Sequence, residues 1–233
     1  MRSLTRLASI VALLGLSVGL VYAANQTILG KQGLIKDPKP GVDATKRRLV
    51  GGAREVGSPN VIVGNPMVGG AVITFFGIGA TSSNQAFVLP PSKWSPSGTT
   101  GYKYKDALNT SSAIKTALIK RSNGGLFTIK ATGVAKFMPI NVVPPNPGTG
   151  VCMRLDIIGG DSYHVLLATG ATIKKNTNKL FMIKNATSQG VCPGTPTTTT
   201  TSTSSTSTTS TSTTIPYGSP SRAFVSPVRD LLD

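Results

Sequence analysis

The segment "VCMRLDIIGGDSYHVLLATG", residues 151–170, carries the pattern that decides the fold. Apolar side chains occupy every second position of its first half, namely Val151, Met153, Leu155 and Ile157. The residues between them are Cys152, Arg154 and Asp156. This alternation predicts a strand with one buried face, and the Gly-Gly turn after it predicts a hairpin. A shift of one residue would expose all four apolar side chains, so the register is expected to be fixed.

The rest of residues 24–194 also favours short strands. "GGAVITFFG", residues 69–77, is a β-branched and aromatic run bounded by glycine, which is typical of a strand buried on both faces. Asn123-Gly124-Gly125 joins two further strand-like runs and indicates a tight hairpin. Further strands are predicted near residues 31–36, 46–52, 84–89, 101–105, 138–143 and 179–184. About ten short strands separated by turns predict an all-β sandwich, Ig-like or jelly-roll-like.

The N-terminus has the layout of a secretory signal peptide. Arg2 and Arg6 precede an apolar run over residues 7–21, and small residues follow. Cleavage is expected after Ala23, so residues 1–23 are predicted to be removed. The alternative is an uncleaved anchor, because the apolar run approaches the length that spans a bilayer. The mature protein is predicted to be secreted, which places it at the cell surface, in the extracellular medium or in the periplasm.

A run of Ser and Thr over residues 197–214 separates the predicted domain, residues 24–194, from the C-terminal end. A segment without apolar side chains has nothing to bury, so residues 195–216 are predicted to form a disordered linker. The tail, residues 217–233, has apolar side chains at roughly helical spacing, which favours docking to a protein partner. The alternative is a disordered chain end without a partner.

The chain contains two cysteines, Cys152 and Cys192. In an exported protein an even number of cysteines predicts a disulfide, which here would close the domain just before the Ser/Thr run. Two cysteines and one histidine, His164, do not make up a zinc ligand set, so no metal is predicted. "GIGATSS", residues 77–83, lacks the Lys of a phosphate-binding loop, and no cofactor is predicted.

The order of several motifs resembles that of an uncharacterised family of exported β-domains from environmental bacteria. The motifs are "LIKD" with "KRRLV", "GGAVITFFG", "LPPSKW", "GYKYKDA" and "KNATSQGVCPG" before a Thr/Ser tract. The resemblance covers most of residues 28–193, and this chain has fewer cysteines than the family pattern. What the resemblance implies is an exported β-domain with a Thr/Ser tract behind it, and it implies no activity.

The predicted domain is strongly basic. Of the 24 Lys and Arg residues, Arg2, Arg6, Arg222 and Arg229 lie outside residues 24–194, which leaves 20 basic residues against six acidic ones. A surface with this charge attracts polyanions, whether extracellular nucleic acid, acidic polysaccharide or anionic lipid headgroups. The alternative is that dispersed lysines keep the domain soluble and protect its sheet edges from pairing with other chains.

A basic and aromatic stretch, "KWSPSGTTGYKYKDA" at residues 93–107, is the candidate binding surface. On a strand its two tyrosines share one face and Lys103 and Lys105 the other, and flat rings flanked by cations stack on sugars or bases. The alternative is that the rings pack into the core and the lysines are solvated. The candidate ligand-binding residues are Trp94, Tyr102, Lys103, Tyr104, Lys105, Lys115, Lys120, Arg121 and Lys130.

The sequence offers no convincing catalytic set. Ser162 and His164 stand on the same face of a strand with Cα atoms about 7 Å apart, too far for the hydrogen bond that activates a nucleophile. A turn followed by a partly exposed histidine is the simpler interpretation. We therefore expect a non-enzymatic, exported structural or adhesion module tethered by a flexible linker. The alternative is a polysaccharide- or polyanion-binding domain that uses the basic and aromatic surface.

Overall fold

The computed structural model describes residues 24–194. The predicted signal peptide (1–23), linker (195–216) and tail (217–233) lie outside the described residues. Within the described range the chain forms one short helix, α1 (Pro66–Gly69), two 3₁₀ turns and 13 strands. The strands are β1 (Asn25–Thr27), β2 (Gly30–Lys36), β3 (Arg48–Glu55), β4 (Ala71–Gly79), β5 (Ser83–Leu89), β6 (Trp94–Pro96), β7 (Gly101–Lys105), β8 (Ile114–Arg121), β9 (Phe127–Val134), β10 (Gly148–Ile157), β11 (Ser162–Leu167), β12 (Thr172–Thr177) and β13 (Leu180–Lys184). No helix within residues 24–194 has the length and hydropathy needed to cross a membrane.

The strands form two sheets that enclose one hydrophobic core. Sheet A has 5 strands in the order β1-β11-β10-β4-β5. Sheet B has 8 strands in the order β12-β13-β2-β3-β9-β8-β7-β6. Neighbouring strands are antiparallel except β1 and β11, which are parallel. The all-β sandwich predicted from the sequence is confirmed.

Strand β10 has the register that its alternation predicts. Its apolar positions are at most 3% exposed: Val151, Met153, Leu155 and Ile157. Sheet B comes close to this strand at Gly51, where a Cβ would lie 2.5 Å from the Met153 sulfur. A contact that short is a clash, so glycine at position 51 is what allows the two sheets to pack at this distance.

Most of the other predicted strands are present. Those near residues 31–36, 46–52, 69–77, 84–89, 101–105 and 179–184 correspond to β2, β3, β4, β5, β7 and β13. Asn123-Gly124-Gly125 lies in the turn between β8 and β9, and Gly125 has the positive φ of 74° that favours glycine. The sequence did not indicate β1, β6 and β12, which are short edge strands. Strand β12 is exposed at every residue and β1 and β6 have 3 residues each, so none of them shows an alternation between core and solvent.

The strand predicted near residues 138–143 is not formed, and this prediction is wrong. The segment does run beside the edge strand β5, but its backbone is bound by β5 side chains. The N–H groups of Asn141 and Val143 donate to side-chain oxygens of β5 at 2.6 and 3.1 Å. The next positions in phase are Pro139 and Pro145, which have no N–H with which to extend a ladder.

The C-terminal end of the described chain lies over the outer face of sheet A. Cys152 stands on β10 between two inward-facing residues, so its side chain points away from the core. It is bonded to Cys192 with an S–S distance of 2.04 Å, which confirms the predicted disulfide. The segment over residues 185–192, here called the C-terminal strap, therefore covers β10 and β11.

Candidate functional site

Sheet B packs one face against the core and turns the other toward solvent. Its inward positions are buried, as Ile35, Leu49 and Ile129 illustrate with at most 1% exposure. Because side chains alternate along a strand, the residues between the inward positions point outward. The outward positions carry nine Lys and Arg residues, here called the basic face: Lys36, Arg48, Arg54, Lys103, Lys105, Lys120, Lys130, Lys175 and Lys184.

Cross-strand register aligns these cations in rows. Lys103 is paired with Leu118, and Leu118 with Lys130, so the two lysines lie two strands or about 10 Å apart. Lys36 and Arg48 are directly opposite each other on neighbouring strands. Like charges in directly opposed positions destabilise a sheet. The pair Lys36 and Arg48 is therefore not explained by a gain in sheet stability.

The remaining outward positions leave the positive charge of the basic face uncompensated. On the strands of sheet B described here, no outward position holds Asp, Glu or an aromatic residue. Several hold threonine, whose hydroxyl both donates and accepts hydrogen bonds. These threonines are Thr116, Thr128, Thr132, Thr172 and Thr177. The face thus combines its cations with neutral hydroxyl groups and with apolar side chains such as Leu34, Val50 and Leu118.

A depression at Gly52 lies near the centre of the basic face. The cavity there has a volume of about 220 Å³, and Lys31, Arg54 and Lys130 are among its lining residues. A Cβ at Gly52 would make only ordinary contacts, the nearest being 3.5 Å from the Ile129 carbonyl oxygen. Packing within the described chain therefore does not require glycine at position 52, in contrast to Gly51. The glycine leaves the backbone at the bottom of the depression uncovered by a side chain of its own.

Four of the candidate ligand-binding residues belong to this face, namely Lys103, Lys105, Lys120 and Lys130. Lys115 is exposed but stands at an irregularity in the pairing of β8 with β9, outside the alternation. The sequence reasoning missed the cations of β2, β3, β12 and β13, which are Lys36, Arg48, Arg54, Lys175 and Lys184. The available signal was that each of the first three follows or precedes a buried apolar or small residue in a strand-like run, as in "LIKD" and "RLVGGARE".

Two of the three candidate aromatic rings are buried. Trp94 is 6% exposed and Tyr104 is fully buried, with ring centroids 5.4 Å apart. The indole N–H of Trp94 donates to the Leu89 carbonyl oxygen at 3.3 Å. The interpretation of these two rings as a surface for stacking on a ligand is therefore wrong. The cause is the parity of β7, which directs its lysines outward and its tyrosines toward the core.

The third ring, Tyr102, is half-buried and lies in a groove at the β6–β7 end of the domain. The groove has a volume of about 600 Å³, within the range of small-molecule sites. Arg121 also lines it, and the buried Nε atom of this side chain has no hydrogen-bond partner. Gly98 at the rim lies close to Lys120, because a Cβ there would be 3.3 Å from the lysine Nζ. The groove therefore adjoins the basic face.

The acidic residues of the described chain make structural contacts. Asp37 is 1% exposed and pairs with Arg47 at 2.8 Å. Asp106 is 2% exposed and accepts a hydrogen bond of 2.8 Å from the backbone of Ser111. The others also have side-chain or backbone partners: Asp43, Glu55, Asp156 and Asp161. Within residues 24–194 no three His, Cys, Asp or Glu residues come together in a way that would hold a metal ion.

His164 is fully buried, so the expectation of a partly exposed histidine is wrong. Its position on the outer side of sheet A is covered by the C-terminal strap. The backbone N–H of Cys192 donates to Nδ1 at 3.2 Å, and Nε2 lies 3.1 Å from the Asn25 side-chain oxygen. Nδ1 accepts, so the proton is on Nε2 and the ring is neutral. Burial lowers the pKa of His164, and the charge of Asp156 opposes that shift in part.

Acidification is expected to destabilise the domain through His164. Because the folded-state pKa lies below the ordinary value of 6.5, only the unfolded state takes up the proton as the pH first falls. The stabilisation is complete above pH 6.5 and decreases as the pH falls toward the lower folded-state pKa. Chemical denaturation at several pH values between about 7.5 and 5.5 measures the free energy of unfolding, and the variant His164→Gln provides the reference. If the free energy of unfolding changes with pH equally in the wild type and in His164→Gln, the lowered pKa of His164 is contradicted.

Comparison with protein-family models, curated proteins and solved structures finds no match. The resemblance to a family of exported β-domains therefore stays a prediction. The case for a function rests on the basic face and on the groove beside it.

Proposed function

We propose that this protein is an exported, non-enzymatic domain that binds acidic polysaccharide through the basic face. Attachment to such a polymer would make it an adhesion or structural module of the cell surface. The observation that carries the proposal is the collection of nine cations on the outward positions of one sheet, without an acidic residue among those positions. An uncompensated basic face of this kind attracts a polymer with repeated negative charges.

The chemistry of the face favours polysaccharide over nucleic acid. Proteins that bind single-stranded nucleic acid stack its bases on aromatic side chains, and the outward positions of sheet B carry no such ring. The threonines between the cations suit the hydroxyl groups of a sugar polymer. The groove lined by Tyr102 adds a half-buried ring next to the face, and a ring of this kind packs against the apolar side of a sugar.

The contacts of the acidic residues support a binding role without catalysis. Hydrolysis of a glycosidic bond uses two carboxyl groups that face one another across the substrate. In the described chain Asp37 and Asp106 are buried and committed to Arg47 and to the backbone near Ser111. None of the six acidic residues occupies an outward position of sheet B. The basic face therefore offers charge and hydrogen bonds but no general acid.

Binding to heparin is expected to weaken linearly on a plot of log affinity against log salt, because each ion contact releases counterions. The double variant Lys103→Gln/Lys105→Gln is expected to lower the affinity roughly thirtyfold, since each cation near an anionic surface contributes about 1 kcal/mol. The slope should fall by about two. Titration calorimetry at several salt concentrations measures both quantities.

The matched control is Lys39→Gln/Lys136→Gln, which removes the same charge from exposed loop positions outside the basic face. An equal loss in the two double variants would mean that the charge acts only as a diffuse coat. Dextran, a neutral polymer, should not bind. Tighter binding of single-stranded DNA than of heparin at equal charge concentration would assign the face to nucleic acid and overturn the proposal.

A further inference from the structure

Asp161 is a buried carboxylate next to the first residue that the structure describes. It follows the Gly-Gly turn after β10 and is 4% exposed. Its Oδ1 accepts a hydrogen bond of 2.9 Å from the backbone nitrogen of Ala24. Its Oδ2 accepts one of 2.5 Å from the Gln26 side-chain amide. Both oxygens thus face the start of β1.

No Lys or Arg of the described chain compensates this carboxylate. The ion pairs within residues 24–194 are Arg47 with Asp37, Lys93 with Asp106, and Arg154 with Asp156. A buried carboxylate without a cation is costly, and a cation at hydrogen-bond distance offsets that cost. The atom that occupies the favourable position beside Asp161 is the nitrogen of Ala24.

The predicted signal-peptidase site places a new charge on that atom. Hydrolysis of the bond between Ala23 and Ala24 consumes one water, and the new carboxylate leaves with residues 1–23. The amine that remains on Ala24 is protonated at neutral pH. We propose that Asp161 is a binding site for this new N-terminus, and that signal-peptide removal creates an Ala24 ammonium–Asp161 ion pair which fastens β1 to sheet A. The inference rests on the predicted cleavage after Ala23.

Strand β1 is held by few contacts, so an ion pair at its start would stabilise it. It is three residues long and joins sheet A as a parallel edge strand beside β11. Its other ties include the Gln26 amide to the Val61 carbonyl oxygen at 2.9 Å and the contact of Asn25 with His164 at 3.1 Å. An ion pair at Ala24, the residue before β1, would hold the whole strand in register, and with it Asn25, the partner of the buried histidine.

Two forms of residues 24–194 test the proposal. One begins with a free Ala24 amine, and the other is acetylated at Ala24, which turns the amine into a neutral amide and adds no second amine. At pH 7 the free-amine form is expected to melt roughly 2 to 6 °C higher, because a charged hydrogen bond is stronger than a neutral one. The same pair of forms made with Asp161→Asn should melt within about 1 °C of each other.

The pH dependence identifies the charge. The nearby carboxylate raises the pKa of the Ala24 ammonium above its ordinary value of about 7.7. The difference between the two forms is therefore complete below that pH and disappears as the pH rises through the higher folded-state value. Asp161 contacts the Ala24 nitrogen, and Tyr163 is the titratable group that interacts with Asp161. Burial raises the pKa of Tyr163 to about 12, so this tyrosine stays neutral at the pH values where the Ala24 amine titrates.

N-terminal sequencing of the exported protein completes the test, and a first residue of Ala24 is expected. Equal melting temperatures of the two forms at pH 7 would overturn the proposal, as would a difference that persists in Asp161→Asn. A mature chain that begins elsewhere would also overturn it. None of these measurements uses a polymer, so their outcome is independent of whether the basic face binds acidic polysaccharide.

Discussion

Replacing Cys152 and Cys192 together by serine is expected to lower the melting temperature by roughly 8 to 16 °C. The bond closes a loop with a sequence separation of 40 residues. For a loop of that length the chain-entropy model gives about 4 kcal/mol, and a domain of this size loses about 2 to 4 °C per kcal/mol. Differential scanning calorimetry of the variant and of the wild type measures the change.

The position of the disulfide adds a second effect to the entropic one. The C-terminal strap holds the Cys192 N–H against His164, so release of the strap would leave a buried ring nitrogen without its donor. Reduction of the wild type should reproduce the result of the double serine variant. Heparin affinity well below the transition should stay unchanged, because the basic face lies on the other sheet. A melting temperature within about 2 °C of the wild type would contradict the prediction.

Central strands of the two sheets could be predicted from the sequence more reliably than edge strands. Strand β10 is paired on both sides and packs against the other sheet, so its alternation is strict. Strand β12 is an edge strand with every residue exposed, and nothing in "TIKKNT" requires alternation. The segment 138–143 alternates with buried Ile140 and Val142 and still forms no ladder. Its prolines decide that outcome, since they remove the donors.

Only part of the candidate site could be predicted from the sequence, for a related reason. In "GYKYK" the period of two separates lysines from tyrosines, but it does not say which set faces solvent. The structure places Tyr104 and Trp94 in the core, which leaves the lysines outside. The extent of the basic face depends on the strand order, which brings β2, β3 and β9 together from distant parts of the chain. No local pattern contains that order.

The depression at Gly52 is where the basic face is expected to be most sensitive to mutation. The triple variant Lys31→Gln/Arg54→Gln/Lys130→Gln removes three cations that line one cavity. With about 1 kcal/mol for each, heparin affinity should fall roughly a hundredfold. The slope of log affinity against log salt should fall by about three. Calorimetric titration at several salt concentrations provides both values, and circular dichroism checks the fold.

Gly52→Leu tests the same place without a change in charge. A Cβ at position 52 meets only ordinary contacts on the described chain, the nearest at 3.5 Å, so this variant should fold normally. Its side chain would fill the depression and keep an anionic group away from the three cations. We expect a loss of affinity at least as large as for one removed cation, roughly fivefold, with an unchanged melting temperature. If the triple variant weakens binding and Gly52→Leu does not, the three cations attract the polymer at long range and the ligand does not bind in the depression. If neither variant weakens binding, acidic polymer is held elsewhere and the basic face is not its binding surface.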